Sequence, residues 1–324
     1  MGKSKIIVTG GAGFLGSHLV DKLLGVGHQI VVLDNLITGS LDNLAQHKSD
    51  PNLTFINQNI SKPFSYPDDV DFIYHFASPA SPVDFSKIPI EVLEVGSLGT
   101  HNMLELAYEK KAGLLFSSTS EVYGDPLVSP QVETYWGNVN PIGPRSVYDE
   151  GKRFSEALIM AYYRTHDLDT KVVRFFNTYG PRMRIDDGRV VPNFIKQALD
   201  GEPLTIYGDG KQTRSFGYYE DILDGVARLA ASDYHLPMNI GTLEERTIQQ
   251  FAELVIKISK STSKIEYLDA LQDDPKQRRP DIELANRILS WTPTTSLELG
   301  LSKTIKSFQD LRIVKNLADV ASAV

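Results

Sequence analysis

Short β-branched runs alternate with stretches of helical periodicity through the first half of the chain. Ile6–Val8, Ile30–Leu33, Leu53–Ile56, Phe72–His75, Leu114–Ser117 and Val172–Phe175 read as strands. Between them, Leu15–Leu24, Glu91–Glu109 and Val147–Thr165 read as helices. Alternation of this kind predicts βαβ units around a parallel sheet, an α/β fold. Past Pro181 the pattern changes, because Gly, Pro and Arg become frequent and the strand-like runs shorten. That shift predicts a smaller second lobe from 181–213 and 242–312. The helix near Tyr219–Ala231 and the strand Pro237–Ile240 are expected to return to the sheet, so that 1–180 and 214–241 form the first domain. The tail, 313–324, has no clear role. No internal repeat or low-complexity tract is visible.

Gly10-Gly11-Ala12-Gly13-Phe14-Leu15-Gly16 follows the first strand and opens the first helix. In that context glycines allow a tight turn and let the backbone approach a pyrophosphate at the helix N-terminus. The expected architecture is therefore a Rossmann-type, doubly wound sheet. The second strand ends at Asp34, eighteen residues beyond Gly16, close to the spacing of a carboxylate that grips the adenosine ribose. A carboxylate there repels a 2′-phosphate, and Asn35–Ser40 contains no Arg or Lys to attract one. NAD is favoured over NADP.

Composition removes several classes of function. The 324 residues carry a formal net charge of −8, which argues against non-specific nucleic-acid binding. The chain has no cysteine, and its seven histidines show neither HExxH nor paired spacing, so no metal site is expected. No apolar run approaches the ~20 residues of a membrane span, and the strand at Lys5–Val8 leaves no room for a signal peptide. Gly2 fits no myristoylation motif, since the sixth residue is Ile6. A soluble cytoplasmic protein is the expectation.

The candidate chemistry lies in Ser117-Ser118-Thr119-Ser120-Glu121-Val122-Tyr123-Gly124 and in Tyr148-Asp149-Glu150-Gly151-Lys152. Residues four apart share a helix face, so Lys152 would stand beside Tyr148 and lower its pKa. Tyr148 would then serve as general base for a sugar hydroxyl while hydride leaves the same carbon. A bare Tyr-x-x-x-Lys is more often an ordinary amphipathic helix with an exposed lysine. The glycine loop upstream reverses that balance.

A Rossmann loop, a Thr119/Glu121 pair and Tyr-x-x-x-Lys in this order resemble the extended short-chain dehydrogenase/reductase superfamily. "STSEVYGDP", "ETYWGNVNPIGPRSVYDEGKR", "FNTYGPRMRIDDGRVVPNF", "LTIYGDGKQTRSF" and "DDPKQRRPDI" together look like the UDP-glucuronate decarboxylases, or UDP-xylose synthases. The resemblance reaches to about residue 310. It implies oxidation at C4 of UDP-glucuronate, loss of CO₂ and return of the hydride, with Thr119 and Tyr148 on the C4 oxygen and Lys152 on the nicotinamide ribose. Ser120 stands where sugar 4,6-dehydratases carry an acid, so water loss is not expected. By resemblance Ser120 and Glu121 orient or protonate the decarboxylating carbon, and Arg278 lies near the substrate carboxylate. Read as composition alone, Arg278 belongs to a solvated charged loop. The implied cofactor set is Gly10, Gly13, Phe14, Leu15, Gly16, Asp34, Asn35, Thr38, Gly39, Asn59, Ile60, Phe76, Ala77, Ser78, Tyr148, Lys152 and Thr178. Asn59 replaces an Asp on the adenine. The implied sugar-nucleotide set is Asn177, Arg189, Val191, Asn193, Tyr207, Arg214 and Arg278. Arg182, Arg184, Arg189, Arg214 and Arg278 concentrate positive charge in the second lobe, the electrostatic mark of a local anion site.

Further departures from the family lie near the expected sugar site. Glu94 and Gly96 stand where its members commonly carry Lys and Asn, and Val83-Asp84-Phe85-Ser86-Lys87 after the intact "SPASP" loop is unusual. Three other readings stay open. A relative of the lipid A-modifying decarboxylase would release the 4-keto pentose with NADH, and it too has an acid at the Glu94 position. The others are a 4-epimerase or 4-dehydrogenase of another nucleotide sugar, and a non-catalytic NAD-binding regulator. The resemblance further implies a homodimer through a four-helix bundle of Leu98–Tyr108 and Val147–Tyr163, with Met103, Leu104, Leu106 and Ala107 among its apolar positions.

Overall fold

The computed structural model describes residues 3–270 and 277–322, with backbone only for 314–322. Gly2 and the first four residues of "DDPKQRRPDI" lie outside the described residues. The first half runs β1 (Lys5–Thr9), α1 (Phe14–Gly25), β2 (Gln29–Asp34), β3 (Leu53–Asn57), β4 (Phe72–His75), α2 (Pro82–Lys87), α3 (Pro89–Glu94), α4 (Thr100–Lys110), β5 (Gly113–Thr119), α5 (Ser146–His166), β6 (Thr170–Phe175) and α6 (Val190–Asp200). A seven-stranded sheet orders these as Met238–Ile240, β6, β5, β4, β1, β2, β3. Every pairing in it is parallel. The strand order reverses between β1 and β4, and in open α/β sheets that switch opens a crevice at the strands' carboxyl ends.

Apolar residues on both faces of the sheet are covered. One cluster joins Val8, Val32 and Leu115 to Leu19 of α1 and to Ile222 and Val226 of the helix Tyr219–Ala230. The other joins Ile7, Ile73 and Phe116 to α4 and α5. Met103, Leu104, Leu106 and Ala107 all belong to this second cluster and are at most 2% exposed. They are core, so a bundle with a second chain would need other residues. Leu98, Tyr108 and Phe154 remain about half exposed.

The single helix expected over Glu91–Glu109 is interrupted by a π-turn at Val95–Gly99. Ser155 of α5 donates its hydroxyl to the Gly96 carbonyl at 2.5 Å, and a side-chain donor entering the ladder disturbs the regular pattern. A Cβ at Gly96 would stand 3.0 Å from Gly151 Cα, so paired glycines let the two segments close on each other.

Beyond the sheet, Tyr179, Phe194, Phe251 and Leu301 center a third cluster. Thr213–Ser215 pairs antiparallel with Glu245–Thr247 and parallel with Gln277–Arg278, which sets Arg214 and Arg278 side by side as register partners. Among the described residues no helix is long and apolar enough to cross a membrane.

Candidate active site

A cavity of about 860 Å³ opens at the switch point between β1 and β4. Its glycine-lined wall is shaped by backbone. Gly10 takes φ +69°, and a Cβ there would lie 2.7 Å from Ala77 Cα. A Cβ at Gly16 would strike the Gly10 carbonyl, so only glycine permits this approach. Gly13 N donates to Gly10 O at 3.0 Å and Ser17 N to Gly13 O at 3.1 Å. Gly13 caps α1 without a side-chain hydrogen bond, leaving N–H groups of the first turn suited to an anion. Asp34 closes β2, its Oδ2 accepting from Ala12 N at 3.0 Å and its Oδ1 from Leu36 N at 2.8 Å. Burial still pushes its carboxyl above the ordinary value, against those two bonds. Asn59 Oδ1 accepts from Ser61 N at 2.9 Å, which engages part of the acceptor expected for adenine.

Every expected cofactor and sugar-nucleotide residue lines this one cavity except Gly39. Gly39 instead packs behind Asp34, where a Cβ would stand 3.1 Å from both carboxylate oxygens. A glycine there leaves room for the Asp34 carboxylate.

At the centre, Tyr148 is buried and Phe85 of α2 stacks on it, with centroids 4.7 Å apart and planes 17° apart. Thr119 hydrogen-bonds the phenol. Lys152 Nζ donates to Ser117 O at 2.7 Å and lies 4.6 Å from the Phe116 ring centroid. The expectation that Lys152 lowers the Tyr148 pKa does not hold. Desolvation drives the phenol upward and outweighs the Thr119 bond. The same burial drives Lys152 down to about 7, toward neutrality.

Glu121 is held by two arginines. Arg278 Nη2 and Arg145 Nη2 donate to Glu121 Oε2 at 2.8 and 2.7 Å, and Arg278 Nη1 reaches Oε1. Burial raises the carboxyl, but Arg278 and then Arg145 more than offset it, holding Glu121 near 2. It is therefore ionised at working pH. In that state it can orient its arginines, and to donate a proton it must first receive one. Ser120 is buried beside it. Arg278 is only 6% exposed, which removes the solvated-loop reading.

Two residues here escaped the sequence reading. Arg145 sits at the N-cap of α5, inside the string "GPRSVY", but its reach to Glu121 spans 24 positions and no spacing rule announces it. Asp149, next to Tyr148, is 6% exposed and its Oδ1 has no hydrogen-bond partner. Burial first, and the Glu121 charge second, push its carboxyl up.

The expected cluster of arginines is not a bare cationic patch. Arg189 chelates Asp187 through Nε and Nη2, the latter at 2.7 Å. Arg184 Nη2 donates to both Asp84 oxygens at 2.9 Å. Arg182 pairs with Asp21 at 2.8 Å, and Arg278 with Glu121. Arg214 Nη1 donates to Thr213 O at 2.8 Å. An incoming diphosphate would have to compete with these carboxylates. Asn193 Nδ2 donates to Gly188 O at 3.0 Å, Val191 is buried, and Tyr207 is 41% exposed at the cavity edge. Asn177 and Thr178 complete the wall, with Thr178 Oγ1 bonded to Phe176 O.

Residues 7–304 match the family model described as GDP-mannose 4,6 dehydratase. Among curated relatives, UDP-glucuronic acid decarboxylase 1 of Danio rerio is 50% identical over 306 residues, covering 94% of this chain and 73% of the relative. UDP-glucuronic acid decarboxylase 6 of Arabidopsis thaliana is 49% identical over 306 residues, covering 94% and 89%. Among solved structures, a UDP-glucuronic acid 4-epimerase from Bacillus cereus in complex with UDP-glucuronic acid and NAD superposes with TM-score 0.84. It is 29% identical and covers 95% of this chain and 99% of that one. A dTDP-glucose 4,6-dehydratase from Bacillus anthracis in complex with NAD gives 0.82 at 26% identity, covering 95% and 97%.

Proposed function

The chain belongs to the UDP-glucuronic acid decarboxylase family, and from that premise we propose that it converts UDP-glucuronate through a 4-keto intermediate to UDP-xylose and CO₂. The observation that carries the reading is the Glu121–Arg278 pair set in the same cavity as the Thr119–Tyr148 pair. One is suited to a substrate carboxylate and the other to a sugar hydroxyl.

NAD fits the cradle of Gly10, Gly13 and Gly16, whose absent Cβ atoms leave the approach open, with Asp34 for the ribose hydroxyls. Bound there, it supplies the acceptor and later the donor of the C4 hydride. Tyr148 takes the C4 hydroxyl proton, while Thr119 holds the phenol in line. A positive charge held beside Tyr148 would oppose its upward shift. Lys152 holds the nicotinamide ribose. A ketone at C4 makes the sugar carboxylate a β-keto acid, so CO₂ leaves with its bonding electrons passing into an enolate. Arg278, oriented by Glu121, holds the carboxylate until it departs. Arginine suits that task through its paired, planar donors.

Residues 1–180 with 214–241 serve on this reading as the NAD-binding domain, and 181–213 with 242–312 as the sugar-nucleotide lobe. Two chains associate through the π-turn at Val95–Gly99, α4 and α5, using Leu98, Tyr108 and Phe154 in place of the buried residues first expected. Light scattering at micromolar concentration tests this, and a monomer would rule it out. The cytoplasmic assignment belongs to the same proposal and is checked by cell fractionation.

Glu94 favours a second outcome for the last step. It lines the cavity and lies 3.9 Å from Lys62 Nζ, so an acid stands where the resemblance leads one to expect a lysine. Weaker retention of the anion would release UDP-4-keto-pentose with NADH. Incubation with UDP-glucuronate and NAD decides between the two. UDP-xylose without net NADH supports the first reading, and a keto pentose with equimolar NADH supports the second. An epimer retaining its carboxyl contradicts both.

A further inference from the structure

Decarboxylation as written consumes a proton: R–CO₂⁻ plus H⁺ gives R–H and CO₂. The proton Tyr148 takes from the C4 hydroxyl must return to that oxygen when the ketone is reduced, so it is not free for C5. Glu121 is ionised between two arginines. Lys152 Nζ is engaged with the Ser117 carbonyl. Glu121, the carboxyl paired with Arg278, can give C5 a proton only after receiving one.

Asp149 lies just behind that centre. It follows Tyr148 in the first turn of α5 and sits four residues after Arg145, hence on the same helix face. Its carboxyl is buried, and Oδ1 meets no donor. A buried carboxylate oxygen without a donor is costly, whereas the neutral acid avoids burying an unpaired charge. The charged groups facing it are Glu121, Arg145, Arg278 and the neighbouring Glu150. Three carboxyl groups and two guanidiniums thus share one cluster, and the substrate adds a fourth carboxylate.

Building on the decarboxylase reading, we propose that Asp149 is the proton reserve of the Glu121 cluster and supplies, through Glu121, the proton that replaces CO₂ at C5. When the substrate carboxylate shares Arg278 with Glu121, that guanidinium is divided between two carboxylates and Glu121 becomes the better base. The proton passes from Asp149 to Glu121, and from Glu121 to C5 as the C–C bond breaks. Asp149 is left as a carboxylate beside Arg145 and regains a proton from water. One proton enters from solvent for each CO₂ released. Asp149 touches no reacting atom, so it is a positioning residue that acts through Glu121. Its ordinary carboxyl range is shifted up to about 7, which agrees with storage of a proton at working pH.

Asp149→Asn preserves shape and removes titration. In single turnovers with NAD and UDP-glucuronate, NADH should form at the wild-type rate. CO₂ release should slow on the order of 10²-fold, as for loss of a general acid, and NADH should persist. Wild-type CO₂ release per NADH formed should fall as pH rises through the neutral range, and the variant should lose that dependence, while any titration of Lys152 acts on the NADH step in both. Wild-type rate and pH profile in the variant would overturn the proposal. Infrared difference spectra of the wild type with isotope-labelled aspartate provide a reading independent of substrate and of variant folding. A protonated carboxyl band that titrates near neutral pH supports the assignment, and its absence at every pH above 5 contradicts it. Failure of the wild type to release CO₂ at all would instead overturn the decarboxylase reading, with the infrared result still standing.

Discussion

The glycine-lined wall and the arginine-lined wall of the cavity differ in what holds them in shape. The first is main chain: Gly10, Gly13 and Gly16 approach one another and Ala77 because they lack side chains, and Asp34 is fixed by two backbone N–H groups. The second is built from ion pairs between distant segments, Glu121 with Arg145 and Arg278, Asp84 with Arg184, Asp187 with Arg189. Backbone walls are already in place before a ligand arrives. Ion-paired walls can exchange partners, since each arginine released from a carboxylate is available to an anionic ligand. The difference suits a cofactor that stays and a substrate that turns over.

The largest expected effect removes the group that serves both walls. Tyr148→Phe should lower turnover by ~10²–10⁴-fold while leaving NAD affinity within a few-fold by calorimetry, because the aromatic ring and its stacking on Phe85 remain. Near wild-type turnover would remove Tyr148 from the mechanism. Arg145→Gln should act on the arginine wall alone. Losing one charged hydrogen bond to Glu121 costs about 1.5–3 kcal/mol, so CO₂ release should slow by roughly 10–10²-fold with NADH formation little changed. Equal losses in both steps would show that the two walls are not separable.

Gly10→Ala acts on the other wall. It places a Cβ in a left-handed conformation that costs ~1–2 kcal/mol and presses on Ala77, so NAD should bind about tenfold more weakly. The fraction of NADH events that proceed to CO₂ should not change. Asp34→Asn, within the same wall, should narrow the preference for NAD over NADP by removing a like-charge contact with the 2′-phosphate. Unchanged selectivity would shift that role elsewhere. The smallest effect is expected from Glu94→Lys. Its pairing with exposed Lys62 is worth at most about 1 kcal/mol, so the ratio of UDP-xylose to keto pentose should rise by a few-fold or less.

The sequence disclosed the two walls unequally, for the same physical reason. Backbone sites are local: a strand, three glycines and an acid eighteen residues on can be read from spacing, and all of them meet at the switch point of the sheet. Tyr148 and Lys152 were legible because a helix sets their separation. Ion pairs are not local. Arg145 and Asp149 were passed over, although they flank Tyr148, because the partner that gives them meaning lies on another element. The electrostatics were misjudged in the same way. Proximity of Lys152 suggested a lowered phenol, but burial of both groups decides the direction. The four apolar residues of α4 illustrate the limit for surfaces, since periodicity shows that a helix has a buried face without saying what covers it.

The division between the walls is tested most directly by one rapid-mixing experiment on Arg278→Met, saturated with NAD and UDP-glucuronate, following absorbance at 340 nm together with CO₂. The account predicts NADH formation close to the wild-type rate, CO₂ release slowed by at least about tenfold, and a 4-keto acid that still carries its carboxyl. Loss of NADH formation in step with CO₂, or CO₂ release at the wild-type rate, would contradict it.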